Sequence, residues 1–328
     1  MFKKILLCLI GILEILTLST QTKHLRFDRN KTFKIVQFTD LHYDCADSLK
    51  GQKALDIMNE VLDSEHPDLV VFTGDLIVSK QAFKSLDIVL QPCISRHIPY
   101  VVVFGNHDDE HGFSRFQLYD YIEKKQGSIM PTRKKSRLLD YVLIIKSSDN
   151  IAKNASLLYF FDSNSYSKNK SIPGYAWIGF EQIGWYRNMS KIFIKKNDGN
   201  PLPALAFFHI PLPEYRDASI NSKSKVLGIK NQEVCAPNVN SGLFASIKEC
   251  GDIMGVFVGH DHNNDFAVQY REVVLAYGRY TGGEIPYVNV SNGARVIILK
   301  ENVRQFDSYI RTSKNVIESR FSYPDSFS

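Results

Sequence analysis

The stretch YVVVFGNHDD, residues 100–109, decides the fold class of this chain. Its first half is a short β-branched and aromatic run, which predicts a strand that is buried on both faces. Its second half places an amide, an imidazole and two carboxylates directly after a glycine. In α/β sheets, ligands bind just outside the carboxyl ends of the strands. The stretch therefore predicts a covered α/β sheet that carries polar chemistry at one edge.

Four other apolar runs end in the same way. FKIVQF, LVVFT, ALAFF and IMGVFV precede, in that order, Asp40-Leu-His42, Gly74-Asp75, His209 and Gly259-His260-Asp261-His262. Each piece alone is weak evidence, because a Gly-Asp pair is mostly a turn and a lone histidine at a strand end is mostly a core residue. The joint occurrence at successive strand ends favours one shared site over these separate explanations.

Stretches with helical periodicity separate these strands. They are KALDIMNEVLDS (53–64), SKQAFKSLDIVLQPCI (79–94), a segment around 113–125 and WIGFEQIGWYRNMSKIFIKK (177–196). YVLIIK, SLLYFF, EVVLAYG and ARVIILK predict further strands, and the polar stretch 217–242 predicts a long loop. Alternation of this kind is typical of an α/β or mixed layered domain. No repeat or Gly/Ser linker interrupts it, so we expect residues 23–328 to form a single domain.

The composition excludes several classes of protein. The chain has 328 residues, 44% of them hydrophobic, and a formal net charge of +5. This much apolar material can bury a sizeable core, which excludes a disordered or fibrous chain. The charge is too small and too dispersed to predict nucleic-acid binding beyond a possible nucleotide substrate. Oligomeric state cannot be predicted.

The first 22 residues have the profile of a signal peptide. Lys3 and Lys4 precede an apolar stretch from Ile5 to Leu18, with small residues around Ser19. A membrane-spanning helix needs roughly 20 apolar residues, and no later segment approaches that length. A buried N-terminal helix and an uncleaved anchor remain alternatives. We expect a secreted or endomembrane protein, and N-x-Ser/Thr sequons weakly support glycosylation at Asn30, Asn154, Asn169, Asn188 and Asn289.

Four cysteines follow the predicted signal peptide: Cys45, Cys93, Cys235 and Cys250. None has the spacing of a C-x-x-C motif or a zinc finger. They are interpreted as structural thiols or disulfides, and the sequence cannot choose between the possible pairings.

The residue types at the strand ends suit metal ions. Carboxylate oxygen, amide oxygen and neutral imidazole are ligands for Mn, Fe or Zn. Two such ions about 3.5 to 4 Å apart can clamp the attacking and leaving oxygens of a displacement at phosphorus. The bridge between them has to be a short anionic residue, for which Asp75 is the candidate.

The motif series resembles that of the calcineurin-like metallophosphoesterase superfamily, D-x-H, G-D, G-N-H-D/E, H and G-H-x-H. The resemblance covers roughly residues 33–274 and includes all five blocks. GNHDDEHGFSR, GYAWIGFEQIGWYRNMS, FFHIPLPEY and GHDHNNDF look like the purple acid phosphatase-related plant and fungal branch. The resemblance implies a mixed α/β fold, a four-layer αββα sandwich of two mixed β-sheets flanked by helices.

The resemblance also implies roles for particular residues. The first of two divalent or mixed-valence metal ions would be bound by Asp40, His42 and His262, Asp75 would bridge, and the second ion would be bound by Asn106, His209 and His260. A metal-bound hydroxide would attack phosphorus. His107 would protonate the leaving oxygen and Asp108 would orient that histidine.

The chain departs from true purple acid phosphatases at two positions. Those enzymes have D-x-G where this chain has Asp40-Leu-His42, and a G-D-x-x-Y tyrosine where it has Val78. Val78 cannot supply the tyrosinate that colours those enzymes, so we expect a holoenzyme that is not purple, with His42 in that coordination position.

The leading hypothesis is a metal-dependent hydrolase of phosphomonoesters. One alternative is a phosphodiesterase acting on nucleotides or lipid headgroups, and another is a catalytically silent secreted binding protein on the same scaffold. Arg115, Arg216 and Arg279 follow site motifs and could contact phosphate. Surface exposure is the more common state of arginine, so all three are interpreted as surface residues.

Overall fold

The computed structural model describes residues 25–133, 136–283 and 285–328, apart from the side chains of residues 48 and 50. The predicted signal peptide, residues 1–22, lies outside the described residues. Within them, no helix has both the length and the apolar character needed to cross a membrane.

The described chain contains thirteen strands and six α-helices. The strands are β1 Thr32–Phe38, β2 Leu69–Thr73, β3 Tyr100–Val103, β4 Tyr141–Lys146, β5 Asn154–Phe160, β6 Ala204–Phe207, β7 Val226–Leu227, β8 Ile253–Val258, β9 Ala267–Tyr270, β10 Val273–Tyr277, β11 Gly293–Lys300, β12 Phe306–Thr312 and β13 Ile317–Tyr323. The helices are α1 Ser48–Glu65, α2 Ala82–Ser95, α3 Arg115–Ile122, α4 Phe180–Lys196, α5 Pro213–Ile220 and α6 Leu243–Cys250.

The strands form two mixed sheets, which confirms the fold class. One sheet has the order β13-β12-β11-β1-β2-β3, and the other has the order β4-β5-β6-β8-β10-β9-β7. In the first sheet β1, β2 and β3 are parallel, and in the second β5, β6, β8 and β10 are parallel. The parallel strands occupy one side or the middle of each sheet, and antiparallel strands complete it.

The largest hydrophobic cluster lies between the two sheets and under the helices that cover the first sheet. Phe257 of β8 meets Phe306 of β12 edge to face, with ring centroids 5.7 Å apart. A second cluster packs the other face of the second sheet against α4, α5 and α6, through residues such as Tyr186, Tyr215 and Ile247. Burial of each such side chain contributes about 1.5–3 kcal/mol. The result is the four-layer arrangement of helices, two sheets and helices.

Two parts of the predicted organisation need correction. The polar stretch 217–242 is not wholly a loop, because α5 extends to Ile220 and the short strand β7 pairs with β9. Pro213 begins α5, where its fixed backbone angle suits the first turn of a helix. Strands β9, β12 and β13 and helix α6 were not predicted.

Candidate metal centre

All seven candidate metal ligands lie on loops that leave the carboxyl ends of parallel strands. Asp40 and His42 follow β1, and Asp75 follows β2; the remaining four follow β3, β6 and β8, namely Asn106, His209, His260 and His262. Three of these strands belong to one sheet and two to the other. The residues therefore come together at the end of the molecule where the carboxyl ends of the parallel strands of both sheets lie.

Asp40, His42 and His262 form the first candidate group. Each offers one ligand atom, and these atoms lie within 4.8 Å of one another. Nε2 of His42 is 3.1 Å from Nε2 of His262, which in turn is 3.4 Å from Oδ1 of Asp40. Three ligand atoms converging at this spacing can surround one ion.

Asp75, His209 and His260 form the second candidate group. Oδ2 of Asp75 is 3.2 Å from Nε2 of His209 and 3.7 Å from Nε2 of His42 in the first group. Asp75 thus faces both groups, as a bridging carboxylate would. His209 Nδ1 lies 2.7 Å from the Thr73 carbonyl oxygen. Donation to that carbonyl leaves the lone pair on Nε2, the tautomer that a metal ligand needs.

Two buried polar atoms test whether the site fits metal ions. Oδ1 of Asn106 and Nε2 of His260 have no hydrogen-bond partner among the described residues. The Asn106 amide nitrogen donates to the Tyr166 hydroxyl at 3.2 Å, so only its oxygen is unsatisfied. A buried polar atom without a partner costs about 1–3 kcal/mol. Both atoms are of a kind that binds a divalent ion, and the residues therefore fit the expected group.

The electrostatics of the site favour metal-binding forms of its side chains. Burial lowers the pKa of His42 to about 4, and burial together with His209 lowers the pKa of His260 to about 3. Both rings are therefore neutral near pH 7. Burial alone would raise the pKa of Asp40, but His209 and His262 lower it to about 2. For His209 burial would lower the pKa, but Asp75 and Asp40 raise it to about 9. The ring therefore carries a second proton near pH 7, which metal binding must displace.

The backbone of the site adopts an uncommon conformation. Asp40, His42, Asp75 and His260 have φ of +56°, +49°, +51° and +79°. Side chains rarely occupy this left-handed region, and doing so costs on the order of 1–3 kcal/mol each. Gly105 is required for another reason, because a Cβ at that position would overlap the Asp75 carboxylate.

His107 faces the two groups without belonging to either. Its backbone N–H donates to Asp75 Oδ1 at 2.8 Å, and its ring lies 5.4 Å from that of His42. Nδ1 of His107 is 2.8 Å from Glu110 Oε2. Burial would lower the pKa of His107, but Asp75 and Glu110 together raise it. This arrangement can hold a proton near the site and orient the ring that carries it.

The carboxylate on His107 is therefore Glu110, not Asp108. Asp108 is buried, and its two oxygens accept four hydrogen bonds from the backbone N–H groups of Asp75, Leu76, Ile77 and Gly105, at 2.8–3.1 Å. It holds the Gly74-Asp75 loop against the strand end of β3. The expectation that Asp108 orients His107 is wrong in this structure, because its carboxylate is turned into the loop backbone.

Two of the three arginines are not surface residues. The Arg115 side chain is only 10% exposed, and its guanidinium donates to the Asp162 carboxylate and to the carbonyl oxygens of Phe104, Gly105 and Asn164. Arg279 is fully buried and donates to Asp265 and to Glu318. Their donors are used within the protein, so neither is available to phosphate. Arg216 is exposed, as expected.

The four described cysteines are free thiols, with Cys93 buried. Of the alternatives that the sequence left open, the structure shows structural thiols and no disulfide among them.

Tyrosines around the centre were missed by the sequence analysis. The Tyr175 ring meets His260 edge to face at 4.4 Å, and the Tyr287 hydroxyl lies 2.9 Å from Nδ1 of His262. Tyr166 stacks on Tyr175 with centroids 5.7 Å apart. Tyr175 lies in the GYAWIGF segment, whose family resemblance was the one available signal. The other tyrosines lie in loops without a strand-end pattern.

The chain belongs to the calcineurin-like phosphoesterase family. The family model matches residues 33–264, which include every strand-end motif described above. The fold carries two groups of residues that could hold metal ions, as expected for a dinuclear centre.

Among curated relatives, the chain is 33% identical to "Probable inactive purple acid phosphatase 29" of Arabidopsis thaliana, over 94% of this chain and 88% of that protein. It is 32% identical to "Phosphatase DCR2" of Saccharomyces cerevisiae, over 75% of this chain but only 47% of that protein. A solved dimetal phosphatase from Danio rerio shares the fold, with a TM-score of 0.63 at 12% identity, over 90% of this chain and 99% of that one.

Proposed function

We propose that this chain is a metal-dependent hydrolase of phosphomonoesters. The observation that carries the proposal is the meeting of two ligand groups at Asp75, beside the His107 imidazole, whose Nδ1 lies 2.8 Å from Glu110. Asp40, His42 and His262 would bind one ion, Asn106, His209 and His260 would bind the other, and Asp75 would contact both. The ligand types suit Mn, Fe or Zn.

The residues of the site divide the reaction between them. Bound metal ions supply positive charge to the phosphate and lower the pKa of water. The attacking water gives up one proton to solvent, and as its oxygen bonds to phosphorus, the bond from phosphorus to the leaving oxygen breaks. His107 gives its proton to that oxygen, a step typically worth 10²- to 10⁴-fold in rate. Glu110 keeps the His107 ring in place, as carboxylates do for catalytic histidines.

The test is turnover of a chromogenic phosphomonoester and a matched phosphodiester after loading with Mn²⁺, Fe or Zn²⁺. We expect metal-dependent monoester hydrolysis that is lost in Asp75→Asn and reduced at least 100-fold in His107→Ala. His111→Ala is the matched control, because it removes an imidazole four residues along the same loop and should retain activity. Equal turnover of both esters would favour the phosphodiesterase alternative.

A catalytically silent binding protein is the other outcome to test, because three of the curated relatives are named as probable inactive purple acid phosphatases. Loss of a ligand would be expected of such a protein, yet every ligand of the motif series is present here. Metal binding by calorimetry without turnover of either ester would favour that alternative and refute the hydrolase.

We propose further that the protein enters the secretory pathway through residues 1–22 and that residues 23–328 fold as one glycosylated domain. The profile of the N-terminal segment supports this proposal. Mass spectrometry of the protein purified from its native source should give an N-terminus near residue 23 and glycan on at least one sequon. An intact Met1 on unglycosylated protein would refute it.

A further inference from the structure

Most of the exposed aromatic side chains of the described residues lie along one groove, which reaches the candidate metal centre at Tyr166. Among the described residues, the exposed ones are Phe116, Tyr166, Phe180 and Tyr287, with 40%, 47%, 82% and 60% of their surface accessible. Tyr287 stacks on His262, and the other three line one groove. Exposing a phenylalanine or tyrosine forgoes a large burial energy, so a cluster of three on one groove marks a surface for binding.

The groove has a volume of about 730 Å³ and lies between α4 and the loops that follow β3 and β5. This volume is within the range of small-molecule sites. Trp177 adds a fourth aromatic side chain to its wall. These aromatic side chains form the part of the groove that a flat, apolar group could contact, beside charged side chains such as Arg137, Lys168 and Glu181.

The groove continues into the candidate metal centre through Tyr166. The Tyr166 hydroxyl lies 3.2 Å from the Asn106 amide nitrogen and 3.5 Å from Glu110, the partner of His107. The next residue along the wall, Ser165, donates to the Asn106 carbonyl at 3.1 Å. A leaving group that lies beside His107 would therefore contact Tyr166 first and then enter the groove.

Hydrogen bonds within the protein hold the floor of the groove together. Arg115 joins Asp162 and Asn164 on that floor to the carbonyl oxygen of Gly105, directly before Asn106. Gln182 of α4 donates to Asp140 at 2.8 Å and to the Asp162 carbonyl at 2.7 Å. Because these bonds are internal, the floor of the groove does not need a ligand to form, and binding need order only the exposed side chains of its wall.

We propose that this groove binds the leaving group of the substrate and that the substrate is a phosphomonoester whose leaving group carries an aromatic ring. The proposal rests on the proposed function. The aromatic wall and its continuity with His107 and Asn106 support it. Phe180, Phe116 and Trp177 would contact the ring, so they determine substrate choice and take no part in the bond-breaking step.

The experiment compares phenylpropyl phosphate with propyl phosphate on the metal-loaded protein. Three methylenes separate the ring from the ester, so the two leaving oxygens have nearly the same reactivity. We expect kcat/KM to be at least about tenfold higher for the phenylpropyl ester. Phe180→Ala should remove most of that ratio, because it lowers kcat/KM for the phenylpropyl ester more than for propyl phosphate. Ile220→Ala is the control, because it truncates another exposed apolar side chain, on α5, outside the groove.

Calorimetric binding of phenylpropyl and propyl phosphonate separates this proposal from the hydrolase proposal, since phosphonates bind without turnover. A tenfold preference that is lost in Phe180→Ala supports the groove even if no ester is hydrolysed. The proposal would be overturned if kcat/KM were equal for phenylpropyl and propyl phosphate and the affinities for phenylpropyl and propyl phosphonate were also equal. A dimer that dissociates in Phe180→Ala would assign the groove to a second copy of the chain and would also overturn it.

Discussion

Replacement of Asp108 by asparagine tests whether this residue supports the site or takes part in the chemistry. Oδ1 accepts the N–H groups of Leu76 and Ile77, and Oδ2 accepts those of Asp75 and Gly105. Asparagine keeps one oxygen and presents an NH₂ group to two donors. A hydrogen bond to a charged group contributes about 1.5–3 kcal/mol, so the loss of two costs about 3–6 kcal/mol. Burial and Asp75 raise the pKa of Asp108 from 3.8 to about 6, so removal of the buried charge returns about 3 kcal/mol near pH 7. The metal-free variant should therefore be destabilised by up to about 3 kcal/mol near pH 7.

The assay is urea unfolding of the metal-free Asp108→Asn variant, with metal affinity measured by calorimetry. Affinity should fall with stability, because the bonds to Asp108 hold the Asp75 loop. Asp109→Asn is the control, since the neighbouring carboxylate is partly exposed and only its contact with Arg115 is weakened, which should cost about 1 kcal/mol or less. An Asp108→Asn variant with unchanged stability and metal affinity, but a displaced pH profile of kcat, would refute the reasoning.

Three further predictions concern a pH dependence, a positioning residue and colour. Burial raises the pKa of Asp140 to about 7, above its unfolded value of 3.8, so its contribution to stability is present below about pH 4 and lost as the pH rises to 7. The free energy of unfolding, measured with urea, should therefore fall by about 3 kcal/mol more in the wild type than in Asp140→Asn when the pH is raised from 5 to 8. Glu110→Gln should lower kcat about 10- to 100-fold without changing metal affinity, and loss of metal from this variant would contradict the orienting role. Because Val78 replaces the tyrosine of purple acid phosphatases, iron-loaded protein should lack a strong visible absorption band, and a purple holoprotein would refute this.

Much of the fold was predictable because the parallel strands carry strong local signals. LVVFT and YVVV are buried along their whole length, and apolar runs of this kind are typical of covered strands. β13 was missed because IESRFSY is an edge strand with mostly exposed or half-buried side chains and no apolar run. The pairing that builds the second sheet joins distant segments, and local periodicity carries no information about it.

The candidate ligands were predictable because each one follows a strand directly, so chain order alone placed them at one edge. Glu110 was not, because a turn of the backbone brings position i+3 under His107 while the adjacent Asp108 points away. The burial of Arg115 and Arg279 could not be predicted either, since it depends on the carboxylates of Asp162 and Asp265, which lie 47 and 14 residues away along the chain.

The left-handed backbone at Asp40, His42, Asp75 and His260 bears on how this scaffold can change over evolutionary time. Glycine adopts positive φ freely, so a descendant with no use for the centre would gain folding stability by mutating these positions to glycine. Folding stability would thus favour loss of the centre wherever its ligands are no longer needed. The D-x-G motif of purple acid phosphatases has glycine where this chain keeps His42 at a conformational cost. Four polar side chains at positive φ on one sheet edge are a conformational cost of about 1–3 kcal/mol each, which binding at the centre can offset.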